Sequence, residues 1–174
     1  MTAVPTHLDH YTIDDLYRLP ADDGDRYEVL NGSLHVTPPA AYPHNRRAQR
    51  LGAALMAAAP AGFEVLSTGT QAIRMGNEGP CPDVAVFSEG DYATDIPVEA
   101  VVLLVEVTSP SNRSTDTVTK LDLYARSGVR HYWVVDPDEI TVYELDAGSG
   151  SYRVVSRGPA AEVSAPFPIS VTLD

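Results

Sequence analysis

The period of the apolar and polar positions changes repeatedly along the chain, and each change predicts an element. Thr12 and Asp15 form a capping-box pattern, with Ile13, Leu16 and Leu19 spaced for a short helix that Pro20 and the polar run 22–25 end. Arg26–Leu30 and Ser33–Thr37 flank Asn31-Gly32, the pair that best suits the positive φ angles of a two-residue hairpin turn. Residues 43–59 carry Ala48, Leu51, Leu55 and Ala58 on one stripe of a helix that Pro60 and Gly62 stop. Two further strands are expected at Phe63–Leu66 and 70–75, around Ser67-Thr68-Gly69. A loop over 76–82, a short buried strand over 83–87 and an acidic exposed loop over 88–97 follow.

The central stretch from Val101 to Asp136 organises the rest. Val101–Val107 is apolar except for Glu106, a helix is expected over about 114–127 with Gly128 as its C-cap, and His131–Val135 is a second apolar run. Strand, helix and strand with a short return predict a crossover and at least one parallel pairing. Residues 140–145 and 152–156 add strands, and 163–173 reads as a short strand or extended tail. The expected fold is a single α/β (α+β) domain over residues 1–174. It has a mixed, twisted sheet flanked by helices, preceded by a helix and a β-hairpin.

Composition narrows the function classes. No apolar run approaches the ~18–20 residues of a membrane span, and the acidic N-terminal region has no signal-peptide pattern. With Cys81 as the single cysteine, no internal disulfide can form and a cytoplasmic location is expected. Cysteine and histidine ligands at zinc-site spacing are absent. The net charge of −12 opposes a broad nucleic-acid footprint, although Arg46, Arg47 and Arg50 fall on one predicted helix. The basic residues are eleven arginines and a single lysine, Lys120. Lysine offers a compact ammonium with an adjustable pKa where arginine offers a planar fork, so its one occurrence suggests a site that needs the former.

A carboxylate near the end of a buried strand costs several kcal/mol unless it is paired. Glu106 is such a group, and Asp83 begins the preceding buried strand. Two carboxylates from adjacent strand ends can share a hard divalent cation such as Mg²⁺ or Mn²⁺, which polarises a phosphoryl oxygen and activates water. On a helix at 100° per residue, Val118, Leu121 and Ala125 form an apolar arc with Lys120 and Tyr124 on its shoulder and Asp116 one turn before Lys120. A lysine there can reach the strand ends. Each residue has a plainer reading when taken singly: Asp83 as turn chemistry, Glu106 in a buried pair with an arginine, Lys120 in an i, i+4 pair with Asp116. Their conjunction favours a site.

The order Arg26-Tyr27-Glu28-Val29-Leu30-Asn31-Gly32, His44, Pro82-Asp83-Val84-Ala85-Val86, Val105-Glu106-Val107, Ser109-Pro110-Ser111, Asp116, Lys120, Tyr124, Gly128-Val129 and Tyr132-Trp133-Val134-Val135-Asp136 resembles a bacterial family of restriction-type endonucleases, Uma-two, within the PD-(D/E)XK nuclease superfamily. The resemblance spans almost the whole chain. It implies a restriction-endonuclease-like core with Asp83 and Glu106 as metal ligands and Glu28 beside them. The superfamily pattern places its lysine two residues after the second acid, where this chain has Thr108; the resemblance implies that Lys120 on the following helix replaces it. The expectation is therefore a Mg²⁺- or Mn²⁺-dependent endonuclease acting on DNA, in which Asp83 and Glu106 hold metal, Lys120 positions the attacking water and Glu28 assists. His44, Asp116 and Tyr124 are candidate accessory residues. A homodimer would match two-fold DNA sites. The alternative, motivated by the acidic charge, is a catalytically inactive nuclease-like binding or assembly module.

Overall fold

The computed structural model describes residues 10–19, 24–109 and 115–173, with the side chains of 115 and 116 left aside. Local sequence accounts for its first elements. Helix α1 (Ile13–Leu16) starts at Thr12, whose backbone N–H and hydroxyl both donate to the Asp15 carboxylate at 2.9 Å. Strands β1 (Arg26–Leu30) and β2 (Ser33–Thr37) pair antiparallel across Asn31 and Gly32, at φ 52° and 72°. Both angles are positive, as a type I′ turn requires. Helix α2 (Tyr42–Ala58) has Pro43 in its first turn and buries Ala48, Leu51, Gly52 and Leu55.

The main sheet contains β3 (Phe63–Leu66), β5 (Val84–Ser88), β7 (Val101–Val107), β8 (His131–Val135), β9 (Ile140–Asp146) and β10 (Ser151–Gly158). Its order is β10-β9-β8-β7-β5-β3, with β7 and β8 parallel and the remaining pairs antiparallel. The parallel pair is joined by helix α3 (Lys120–Arg126), as the strand–helix–strand pattern predicts. The fold is a mixed α+β architecture around a six-stranded mixed sheet.

Side-chain alternation divides the core in two. Val84, Val86, Leu103, Val105, Val107, Trp133 and Val135 face α2, where the hairpin of β11 (Ala160–Val163) and β12 (Ile169–Thr172) completes the layer. Ala85, Phe87, Leu104, Tyr132 and Val134 face the other way, toward α3 and Leu30 of β1. Glu106 follows the parity of Leu104 and therefore points to the α3 side.

Five expectations need correction. The strand expected over 70–75 is shorter than that. Only β4 (Ile73–Arg74) forms, and it pairs in parallel with β6 (Ile96–Pro97), so part of the expected exposed loop is a buried strand at Ile96. The C-terminal tail is an ordered hairpin that covers the core. The helix over 114–127 divides into a wide-pitched π-type turn, Thr115–Thr119, and α3 proper. The apolar arc of Val118, Leu121 and Ala125 is not the packed face: Val118 is 65% exposed, while Lys120, Leu123 and Tyr124 are buried. The wide turn alters the phase of the helix, and three apolar positions at the right spacing do not by themselves say which stripe meets the sheet.

Candidate active site

The register of β5 and β7 pairs Val84 with Val105, so one step further places Asp83 opposite Glu106 at the ends of neighbouring strands. The Val107 N–H, adjacent to Glu106, donates to Asp83 Oδ2 at 2.7 Å. Both carboxylates are buried, Glu106 entirely. Alternation along β1 puts Arg26 and Glu28 on one face, and that face turns toward the same strand ends.

Lys120 closes the arrangement from the helix side. Its Nζ lies 2.8 Å from Glu28 Oε1 and 2.9 Å from Glu106 Oε1, and the residue is 0% exposed. One turn on, the Tyr124 hydroxyl donates to the same Glu106 oxygen at 2.7 Å. Lys120 is not a solvated helix lysine, and the charge of Glu106 acts on Arg26 as well as on the ammonium. The ammonium is a buried cation between two buried carboxylates, and Tyr124 shares one of them. The Asp116 side chain lies outside the described residues.

Arg26 completes the network; it opens the motif Arg26–Gly32 but was not among the candidate site residues. Its Nη1 donates to Asp83 Oδ1 at 2.9 Å, and its Nε lies 3.6 Å from Glu28 Oε2. The i, i+2 relation to Glu28 on a hairpin strand was the available signal. The Cys81 N–H also donates to Glu28 Oε1 at 2.7 Å. Cys81 itself is no nucleophile: burial, with the Glu28 charge next, pushes its thiol up to about 12.

His44, in the first turn of α2, brings Nε2 to 3.1 Å from Asp83 Oδ2. Burial alone would raise the Asp83 carboxyl, but the His44 hydrogen bond and the charges of His44, Arg26 and Lys120 outweigh it and hold the pKa below the ordinary value. Glu28 behaves alike: burial opposes ionisation, and Lys120, Arg26 and the Cys81 N–H overcome it. The His44 pKa is raised, chiefly by its hydrogen bond to Asp83 against a smaller desolvation effect. Burial first, then Glu106, raises the Tyr124 phenol well above its usual value, so it acts as a neutral donor. Thr108, at the position where the superfamily pattern expects lysine, is turned away from this network and donates its hydroxyl to Asp136.

A cleft of about 720 Å³ opens onto Arg26, His44 and Asp83, walled by Pro38-Pro39, Gln49 and the turn Ser67–Thr70. Glu28, Glu106 and Lys120 lie behind that surface rather than on its lining. The donor atoms offered by Asp83 and Glu106 are hard, ionisable oxygens, which fits Mg²⁺ or Mn²⁺. Among the described residues, however, no three acidic, histidine or cysteine side chains already converge in ligating positions. Arg26 and Lys120 neutralise the carboxylates instead.

Comparison with known proteins agrees with this architecture. The family model Uma2, described as "Putative restriction endonuclease", matches residues 13–174. A crystal structure of a "putative nuclease belonging to DUF820" from Anabaena variabilis has the same fold, with a TM-score of 0.67. It is 18% identical over 89% of each chain. No curated protein matches the sequence. Among the described residues, no helix is long and apolar enough to cross a membrane.

Proposed function

The chain belongs to the Uma2 family, and from that premise we propose that it is a metal-dependent endonuclease that hydrolyses phosphodiester bonds of DNA. The observation that carries this reading is the buried lysine bridging two carboxylates directly behind Asp83. Asp83 and Glu106 would hold one Mg²⁺ or Mn²⁺. When bound, such a cation supplies Lewis-acid polarisation of the phosphoryl oxygens.

The protein's own groups do the rest. Glu28 and Glu106 hold the Lys120 ammonium at the strand ends, where it orients the attacking water and offsets negative charge developing on the phosphate. Tyr124 fixes the Glu106 rotamer through its hydroxyl. Arg26 keeps Asp83 and Glu28 ionised and aligned, and His44 does the same for Asp83 from the cleft side. The cleft admits the scissile phosphate toward Asp83.

Plasmid or oligonucleotide cleavage with Mn²⁺ tests the reading, alongside Asp83→Asn and Lys120→Met. Loss of two orders of magnitude or more in either variant is expected, the scale of removing one transition-state-stabilising group. Cleavage that survives unchanged in both excludes the mechanism. A second reading rests on a specific observation: the carboxylates are already compensated by Arg26 and Lys120, which suits a nuclease-like module that binds without cutting. Calorimetric titration with Mn²⁺ separates the two, because only the enzyme should bind metal in a manner abolished by Asp83→Asn.

A further inference from the structure

The chain has 24 acidic residues against 12 basic ones, yet none of the acids falls between Val29 and Phe63. Helix α2 lies within that stretch and carries Arg46, Arg47 and Arg50 in its N-terminal half. The placement is unfavourable for the helix alone. Arg46 and Arg50 form a like-charged i, i+4 pair. No acid on α2 offsets that repulsion.

The three arginines line a groove of about 390 Å³ between α2 and β12, with Val135 and Ile140 at its base. No acidic residue lines it among the described residues. The next residues around the same helix, His44, Asn45, Ala48 and Gln49, line the cleft that opens onto Asp83. α2 is thus a ridge between two grooves, one leading to the candidate active site and one basic. A helix with its side chains is about 10–12 Å across. A nucleic-acid strand with one phosphate per ~3.4 Å covers that distance in about three or four nucleotides.

We propose that the α2–β12 groove is a second, non-catalytic anchor for the substrate, in which Arg46, Arg47 and Arg50 bind backbone phosphates a few nucleotides from the phosphate held at Asp83. The guanidinium fork suits bidentate contact with a phosphate, and the apolar base of the groove suits the sugar edge. This anchor rests on the nuclease reading for its substrate. It also explains how an acidic protein engages a polyanion: contact is confined to the one long segment free of carboxylates.

The test is equilibrium binding of a fluorescent DNA oligonucleotide to the full chain in EDTA, which needs neither metal nor cleavage. Affinity is measured across salt concentrations for wild type and for the triple variant Arg46→Gln/Arg47→Gln/Arg50→Gln. A control variant, Arg153→Gln/Arg157→Gln, removes positive charge from the far edge strand β10. Each lost phosphate contact lowers the slope of log K against log salt by roughly 0.7–0.9. The triple variant is therefore expected to lose about two units of slope and at least tenfold in affinity, while the control keeps its slope. Thermal unfolding of the triple variant is followed alongside, and a cooperative transition above the assay temperature shows that the loss is one of contact and not of fold. An unchanged slope in the triple variant, an equal loss in the control, or no binding by wild type overturns the anchor. The nuclease reading is judged separately by metal-dependent cleavage in wild type and its loss in Asp83→Asn.

Discussion

Lys120 shows how much one residue's surroundings decide. In water a lysine beside a glutamate contributes a fraction of a kcal/mol, but Lys120 is wholly buried between Glu28 and Glu106. Removing the ammonium takes away the cation that bridges the buried Glu28 and Glu106, so Lys120→Met should destabilise the fold by about 3–5 kcal/mol. Urea unfolding at pH 7 measures this, and a variant as stable as wild type would show that the pair contributes nothing. The double variant Glu28→Gln/Lys120→Met should recover part of the loss. The pH dependence follows from Glu28, whose folded pKa lies below its ordinary value of 4.5. Its contribution is fully present above the unfolded value and is lost as pH falls through the folded one. Wild-type stability should therefore decline below about pH 4.5, and Glu28→Gln should show a shallower decline over the same range.

At the scale of elements, close approach matters more than propensity. Gly52 lies in the middle of α2, where alanine would favour the helix by up to about 1 kcal/mol. A Cβ there would sit 2.6 Å from the Ser67 Cβ, because α2 packs tightly on the turn that walls the cleft. Gly52→Ala should therefore destabilise by about 1–3 kcal/mol, the scale of overpacking, against its helix propensity. Chemical denaturation decides the sign. The same packing carries Gln49, whose side-chain amide donates to the Ser67 carbonyl at 2.6 Å, so the variant should also disturb the cleft wall. Cleavage should fall more in this variant than in Ala53→Ser on the exposed side of the helix.

At the scale of the molecule, a net charge of −12 makes the compact state repel itself while the proposed substrate is a polyanion. Raising salt from about 50 to 500 mM should increase the melting temperature of the free protein by screening that repulsion, and should weaken DNA binding. A melting temperature that falls instead would mean that exposed ion pairs such as Arg157–Glu139 dominate the response. The sequence by itself determined the features whose causes are local. Thr12 and Asp15 set the first cap, Asn31-Gly32 the hairpin, and the mainly apolar runs of β7 and β8 the centre of the sheet. It also marked Asp83, Glu106 and Lys120, because a carboxylate in an apolar strand and a lone lysine stand out without any structure. The tertiary structure decided which side of α3 is buried, that β3 pairs with β5 while β4 pairs with β6, and that Arg26 and His44 meet at Asp83. Those outcomes depend on strand register and helix phase, which arise from packing between segments far apart in sequence. Local periodicity found the buried stripe of α2 but could not fix the phase of α3, where a wide turn intervenes.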